Sequence, residues 1–229
     1  MTKFFGSRLD LHQPELGYKI SLDSILLAAC IHKGITVLDV GCGVGAAGLC
    51  LKVRKPEIQL MGIDIQKENI YFARKNSEIN KLDASFIEGD ITHFKCPETF
   101  DHVMSNPPFY QKGRGQCSAH DHKNYSNFLI NLSLEDWISF CTKASHAWIT
   151  LIHLPENIAL ILKILMEKKW GGIKVFPIWS KEKANRIIIQ ANKKSKEPLV
   201  LRKGLTLRNE NGYTEEAEDI LRHAKEILL

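Results

Sequence analysis

The chain has 229 residues, 44% of them apolar and 25% charged, with a formal net charge of +5; this is ordinary for a globular protein and enough for one packed domain. No apolar run approaches the ~18 residues of a membrane span, and "MTKFFGSRLD" lacks the apolar stretch and cleavage site of a secretory leader, so a cytoplasmic protein without membrane attachment is expected. The six cysteines are scattered, with no CxxC pair, which argues against a zinc or disulfide framework and for small buried apolar residues.

Strand-like and helix-like segments alternate from there. Residues 21–31, "SLDSILLAACI", carry apolar side chains at 22, 25, 26 and 29, one face of a helix. "TVLDV" (36–40) is a short buried strand, and "GAAGLCLKV" opens a helix that Pro56 ends. "QLMGID" (59–64) is the next strand and residues 66–80 form a polar-faced helix. "SFIEGD" (85–90) and "FDHVMSN" (100–106) follow as the third and fourth strands. In "SLEDWISFCTKAS" Ser133 is placed to cap a helix with Glu135 and Asp136 in its first turn. "AWITLIHL" (147–154) is a fifth strand, Pro155 opens a helix to about residue 169, and Gly171 and Gly172 stop it. "IKVFPIW" and "NRIIIQAN" are two more strands, "LVLRKGLTLR" is a small hairpin, and "YTEEAEDILRHAKEILL" is a terminal helix capped by Thr214.

Such alternation implies a parallel sheet wrapped by helices, in which ligands bind at the carboxyl ends of the strands. Four polar features fall on that one edge: Asp39 with the glycine loop after the first strand, Asp64 ending the second, Asp90 ending the third, and "NPPF" (106–109) ending the fourth.

The loop holds Gly41, Gly43, Gly45 and Gly48. Gly43-x-Gly45-x-x-Gly48 matches a dinucleotide fingerprint, a weak signal when it stands alone. A Gly-x-Gly-x-Gly turn lets the backbone approach a ligand with no Cβ in the way. The carboxylate of Asp39 just before it suits a cationic or hydroxyl-bearing ligand better than a phosphate. Asp64, 25 residues after Asp39, can accept both hydroxyls of a ribose, and Asp90 can accept from an adenine amine. The alternative for each acid is a turn or cap residue. As a set they describe a site for an adenosine that carries a positive charge and no phosphate, which S-adenosylmethionine is.

"DVGCGVG", Asp64, Asp90 and "NPPF" together resemble the class I methyltransferases over residues 18–192. The resemblance implies an α/β, Rossmann-like fold: a seven-stranded, mostly parallel sheet with an antiparallel edge hairpin and helices on both faces. One domain, 1–229, would comprise a cover segment (1–34), a catalytic core (35–192) and a basic hairpin with a C-terminal helix (193–229). "GYKISLDSILLAA", "NPPFYQKG" and "LTLRNENGYTEEAEDILRHA" resemble more narrowly the bacterial valine-tRNA adenine-N6 methyltransferase family, whose members modify the adenine next to the anticodon. What this implies is methyl transfer from S-adenosylmethionine to an adenine N6 of tRNA, without a metal. Lys19 and Asp23 would cover the methionine end of the donor. The remaining donor contacts are assigned to Asp39, Gly41, Gly43, Gly45, Asp64, Ile65, Asp90, Ile91 and Asn106.

An exocyclic amine is a poor nucleophile because its lone pair is conjugated into the ring. Two acceptors directed at its N–H bonds both orient it and free the lone pair. The Asn106 side-chain oxygen can be one and the Pro107 carbonyl the other, while Pro107 and Pro108 stiffen the corner and Phe109 offers a stacking face. The target base must leave its stack to reach them. Adenine-N6 motifs more often carry Tyr where this chain has Phe109. Asn-Pro-Pro-Phe also occurs in guanine-N2 methyltransferases of rRNA, and Asn-Pro-Pro in release-factor glutamine methyltransferases. Those are the rival enzymes; a catalytically silent RNA-binding protein on the same fold is the rival of another class, against which the intact corner speaks.

Tyr110, Lys112, Arg114 and Arg186 join Phe109 as candidate substrate contacts. Residues 111–127, rich in Gly, Ser, His and Lys, suggest an acceptor loop that orders on RNA, and the Cys117-x-x-His120-x-His122 spacing fits no standard metal site. Between residues 181 and 208 nine Lys or Arg face two Glu, a basic surface able to follow a phosphate backbone or simply to meet solvent. The four tryptophans are expected to pack rather than to serve as base platforms. A monomer that binds tRNA is expected.

Overall fold

The structure, a computed structural model, describes residues 1–15, 19–96, 99–109 and 132–229. Its centre is a parallel sheet built from β3 (Thr36–Val40), β4 (Gln59–Asp64), β5 (Ser85–Glu88), β6 (Phe100–Ser105) and β7 (Ser145–His153). Two long antiparallel strands, β8 (Gly171–Ser180) and β9 (Lys183–Asn192), continue it, giving the order β5-β4-β3-β6-β7-β9-β8. The central strands are nearly continuous apolar runs because helices cover both faces. Helices α1 (Leu22–Ala29), α2 (Ala46–Arg54) and α6 (Glu215–Arg222) pack on one face with α3 (Lys67–Ile79). Helices α4 (Leu134–Ala144) and α5 (Ile158–Glu167) pack on the other. Ser133 caps α4 in a reciprocal box with Asp136, as its sequence position suggests.

From β3 the chain winds one way through β4 and β5, and from β6 the other way through β7. The reversal lies between β3 and β6, where Val40 is paired with Ser105. A ligand crevice is expected at such a switch point. The glycine loop and the Asn-Pro-Pro-Phe corner therefore leave the sheet side by side.

Three peripheral features depart from the sequence reading. The segment "LVLRKGLTLR" is not a hairpin: β10 (Val200–Leu201) and β11 (Leu205–Asn209) both lie parallel to β8, so the described sheet extends beyond seven strands. The reason is Pro177 inside β8, which has no N–H to offer a neighbour. β10 pairs with Lys174 and Val175, β11 starts pairing at Ile178, and Gly204 crosses between them against the Pro177 carbonyl. The actual hairpin joins β11 to β12 (Gly212–Tyr213). The terminal helix stops at Arg222 rather than running to the end. The chain turns at Ala224, where φ is +59°, and buries Ile227 on α1 with a hydrogen bond from its N–H to the Ala29 carbonyl. Arg54 holds that turn by donating to the Ile220, Ala224 and Lys225 carbonyls. At the other terminus, β1 (Thr2–Phe4) and β2 (Leu9–Leu11) form an unforeseen antiparallel pair.

Four of the five described cysteines are buried, the environment expected for them. Among the described residues no helix is long and apolar enough to cross a membrane, and no group of three or more His, Cys, Asp or Glu could hold a metal ion. The Cys117, His120 and His122 grouping lies outside the described residues.

Candidate active site

The donor side begins where β3 ends. Gly41 and Cys42 both donate to the Ile63 carbonyl of β4, at 2.8 and 3.0 Å, so the loop folds over the neighbouring strand end. Gly41 has φ +71°, and a Cβ there would lie 2.7 Å from Trp137 Cζ2; only glycine combines that backbone with that neighbour. Gly43 differs in kind. Its φ is +55°, yet nothing lies within 4 Å of where its Cβ would be. It marks the open face of a cradle.

Two buried carboxylates shape that cradle. Asp39 Oδ2 accepts from the Gly48 N–H at 3.1 Å, tying β3 to the first turn of α2. Burial pushes its carboxyl up to about 7, against the Gly48 hydrogen bond and with the charge of Asp64 adding to the rise. Asp64 Oδ2 accepts from Gly43 N–H at 2.9 Å, while Oδ1 accepts from Gln66 N–H at 2.8 Å and faces Asn69 Nδ2 at 3.4 Å. Burial raises its pKa too, and those hydrogen bonds oppose the rise. The glycine loop is thus held by the carboxylate expected to meet the ligand.

Asp90 is half-buried and serves its own turn: Oδ1 accepts from Thr92 N–H and Oγ1, and Oδ2 meets His93. Burial pushes its carboxyl up, and the Thr92 and His93 hydrogen bonds with the His93 charge together outweigh it and hold the carboxyl below the ordinary value. Ile91 is buried in the core beneath α4 and α5, and Ile65 is half-buried. Asn76 of α3 was not singled out from sequence. It is fully buried and joins the Val44 carbonyl of the loop to both backbone groups of His12, so the N-terminal pair is fastened to the cradle.

The acceptor side leaves the sheet at Ser105. Its buried hydroxyl donates to the Val40 carbonyl at 2.6 Å and accepts from Trp137 Nε1 at 2.9 Å. Trp137 therefore touches both halves, packing on Gly41 and holding the residue before Asn106. Sequence periodicity places it in the core but gives no sign of this bridge. Asn106 Oδ1 is buried and meets no hydrogen-bond donor among the described residues, a costly arrangement for an amide oxygen unless a ligand completes it. Pro107 is buried; Pro108 and Phe109 are half-buried.

Phe109 is held on two sides. The Arg186 guanidinium lies over its ring, 4.8 Å from the centroid, and the His153 ring stands perpendicular to it at 5.1 Å. Arg186 Nε also pairs with Asp23 Oδ2 at 2.9 Å. Arg186 is thus packed on the corner rather than grouped with the exposed lysines 193, 194 and 196. Asp23, expected over the donor, is engaged by that arginine, and Lys19 donates to the Pro14 and Glu15 carbonyls. His153 Nδ1 accepts from the Leu154 N–H at 2.7 Å, while its Nε2 is buried without a hydrogen-bond partner. Burial, with the Arg186 charge, presses this imidazole down to about 4, against the Leu154 and Pro108 backbones. Tyr110, Lys112 and Arg114 lie outside the described residues.

Comparison with known proteins agrees with this geometry. Residues 18–122 match the family model of the methyltransferase small domain. A predicted O-methyltransferase from Agrobacterium tumefaciens shares the fold with a TM-score of 0.71 at 21% identity, over 90% of this chain and 98% of that one. The fold is the one that class I methyltransferases share, and S-adenosylmethionine is the donor this fold implies. The residues present fit that donor: an open glycine face between two buried carboxylates suits a cationic adenosine. A tRNA1(Val) (adenine(37)-N6)-methyltransferase from Histophilus somni is 28% identical over 74% of this chain and 72% of its own. A release factor glutamine methyltransferase from Lactococcus lactis is 33% identical over a shorter stretch, 38% of this chain and 32% of its own.

Proposed function

We propose that the protein transfers a methyl group from S-adenosylmethionine to the exocyclic N6 of an adenine in tRNA, next to the anticodon. The observation that carries this reading is the buried, unpartnered Asn106 Oδ1, in an Asn-Pro-Pro-Phe corner one strand away from the glycine loop. The likeness to a tRNA adenine-N6 methyltransferase, over 74% of this chain, favours tRNA over the likeness to a glutamine methyltransferase over 38%.

When bound, the donor supplies an electrophilic methyl on a sulfonium. Everything else falls to side chains and backbone. Asp64 takes the ribose hydroxyls and Asp39 lends negative charge to the loop. Asp90 with Ile91 borders the adenine and Ile65 packs beside it, while Lys19 and Asp23 cover the far end. Asn106 Oδ1 and the Pro107 carbonyl accept the two N–H bonds of the target amine, turning its lone pair out of conjugation. Phe109 stacks on the base, a contact worth ~1–3 kcal/mol. Holding amine and methyl in line can supply on the order of 7–11 kcal/mol in favourable systems. Asn106 is a carboxamide and no base; the amine proton leaves to water after transfer. Lys112, Arg114 and Arg186 are assigned to the RNA backbone or the base.

The release-factor reading rests on one chemical fact: a glutamine amide presents the same two N–H bonds. The test offers the enzyme labelled S-adenosylmethionine with unmodified tRNA, rRNA and a release factor side by side. Label in tRNA is expected; label in the protein alone overturns the reading.

A further inference from the structure

Two buried polar atoms at this corner lack partners, and they are opposite in kind. Asn106 Oδ1 is an acceptor. His153 Nε2 is a donor: Nδ1 takes the Leu154 N–H at 2.7 Å, so in the neutral ring the proton sits on Nε2. The His153 side belongs to the same corner, because β7 pairs with β6 (Ser105 with Leu151) and the imidazole stands at 5.1 Å from the Phe109 ring. Only 1% of His153 is exposed, and Asn157 and Leu154 fix the ring from the Nδ1 side. The Pro108 backbone lies close enough to favour a proton on the ring, but not in hydrogen-bond geometry. Buried donors are rarely left unmatched in proteins without a reason.

An exocyclic amine on a purine has a neighbour of complementary kind. In adenine, N6 donates, and the ring nitrogens N1 and N7 beside it accept. An acceptor and a donor at one corner match that pair. We infer that His153 is a specificity-determining residue whose Nε2–H donates to a ring nitrogen of the target adenine adjacent to the amine held by Asn106. This rests on the adenine reading of the site and adds a second contact to it. A guanine offered by its N2 edge presents N1–H on one side, which would face the imidazole donor with another donor. A site that hydrogen-bonds a polar group discriminates strongly against a partner lacking it.

The test deletes the same contact from each side. Single-turnover methyl transfer is measured on an RNA oligonucleotide with adenosine, 1-deazaadenosine or 7-deazaadenosine at the target position, using the unaltered enzyme, His153→Phe and His153→Gln. The unaltered enzyme should lose at least tenfold in transfer with one of the two deaza substrates. His153→Phe, which keeps a ring beside Phe109, should transfer slowly to adenosine and no longer distinguish that deaza substrate from it. His153→Gln, which retains an N–H, should recover part of the distinction. Methylation of all three RNAs at equal rates by the unaltered enzyme overturns the inference without requiring any variant to fold. So does an undiminished deaza effect in His153→Phe. If the adenosine RNA itself takes no methyl group, the adenine reading has failed and the inference with it; methylation of it without a deaza effect removes the His153 contact alone.

Discussion

The two sides of the crevice are built on opposite principles. On the donor side the buried acids are occupied by the chain itself: Asp39 by Gly48, Asp64 by Gly43, Gln66 and Asn69. On the acceptor side two buried side-chain atoms, Asn106 Oδ1 and His153 Nε2, have nothing to bond among the described residues. The first arrangement holds a flexible glycine loop in one shape before any ligand arrives. The second leaves polar groups desolvated and ready, which is how a site concentrates its binding energy on the group about to react. Shape is held by the chain itself in one half and polar groups are left open to a ligand in the other, with Trp137 and Ser105 joining them across the β3–β6 boundary.

The comparison can be broken most severely at Gly41. Gly41→Val places a branched side chain at φ +71° against Trp137, and donor binding measured by calorimetry should be lost, with a lower melting temperature. Unaltered affinity would show that loop shape does not govern the donor half. On the other side, Phe109→Ala removes the stacking face, and the KM for RNA should rise by roughly 5- to 150-fold for a contact worth ~1–3 kcal/mol. Donor affinity should stay within about twofold, since the change lies wholly in the acceptor half. A joint loss of both would mean the halves are not separable.

A gentler test uses pH. Asp39, raised to about 7, holds a proton below that pH, whereas a cationic donor favours its ionised form. Donor affinity should therefore weaken as pH falls through about 7, by up to roughly tenfold per unit, and Asp39→Asn should flatten the profile. Folding responds in the opposite sense: the ordinary value is 3.8, so the unliganded protein loses stability to this group as pH rises from about 4 to about 7. His102 and His153, both pressed to about 4 from 6.5 by burial, act the other way, withdrawing stability as pH falls through that window. The smallest effect is expected at Ser133, which caps α4 away from both halves. Ser133→Ala should cost about 1 kcal/mol, or about 2–4 °C in melting temperature.

Much of the fold was legible because it obeys local rules. Apolar runs of strand length alternate with capped amphipathic helices, and each polar motif falls at the end of such a run, so Asp39, Asp64, Asp90 and Asn106 could be set on one edge. What escaped was decided by long-range contact. The pair β1–β2 has three-residue strands whose pattern says nothing, and Asn76 of α3 and Asn80, just past its end, fasten it from 64 and 70 residues away. Pro177 lies in a segment rightly read as a strand, but nothing local says that it marks where β10 gives way to β11 on one edge. At the site, residue types announced the acceptor Asn106. The donor His153 could not be recognised, because its role follows from a tautomer set by the next residue's N–H and from the absence of any partner for Nε2. Arg186 was expected among the RNA-facing cations, and its place over Phe109 depends on an ion pair with Asp23, 163 residues away.

The division of labour between the two halves is tested most directly by Asn106→Ala, with the donor dissociation constant and the single-turnover rate of methyl transfer measured on the same preparation. The donor should bind within about twofold of the unaltered enzyme, while transfer falls by about a hundredfold or more, the scale seen when one preorganised hydrogen-bonding group is removed from a reacting centre. Transfer at an undiminished rate would contradict the assignment of Asn106 to the reacting amine.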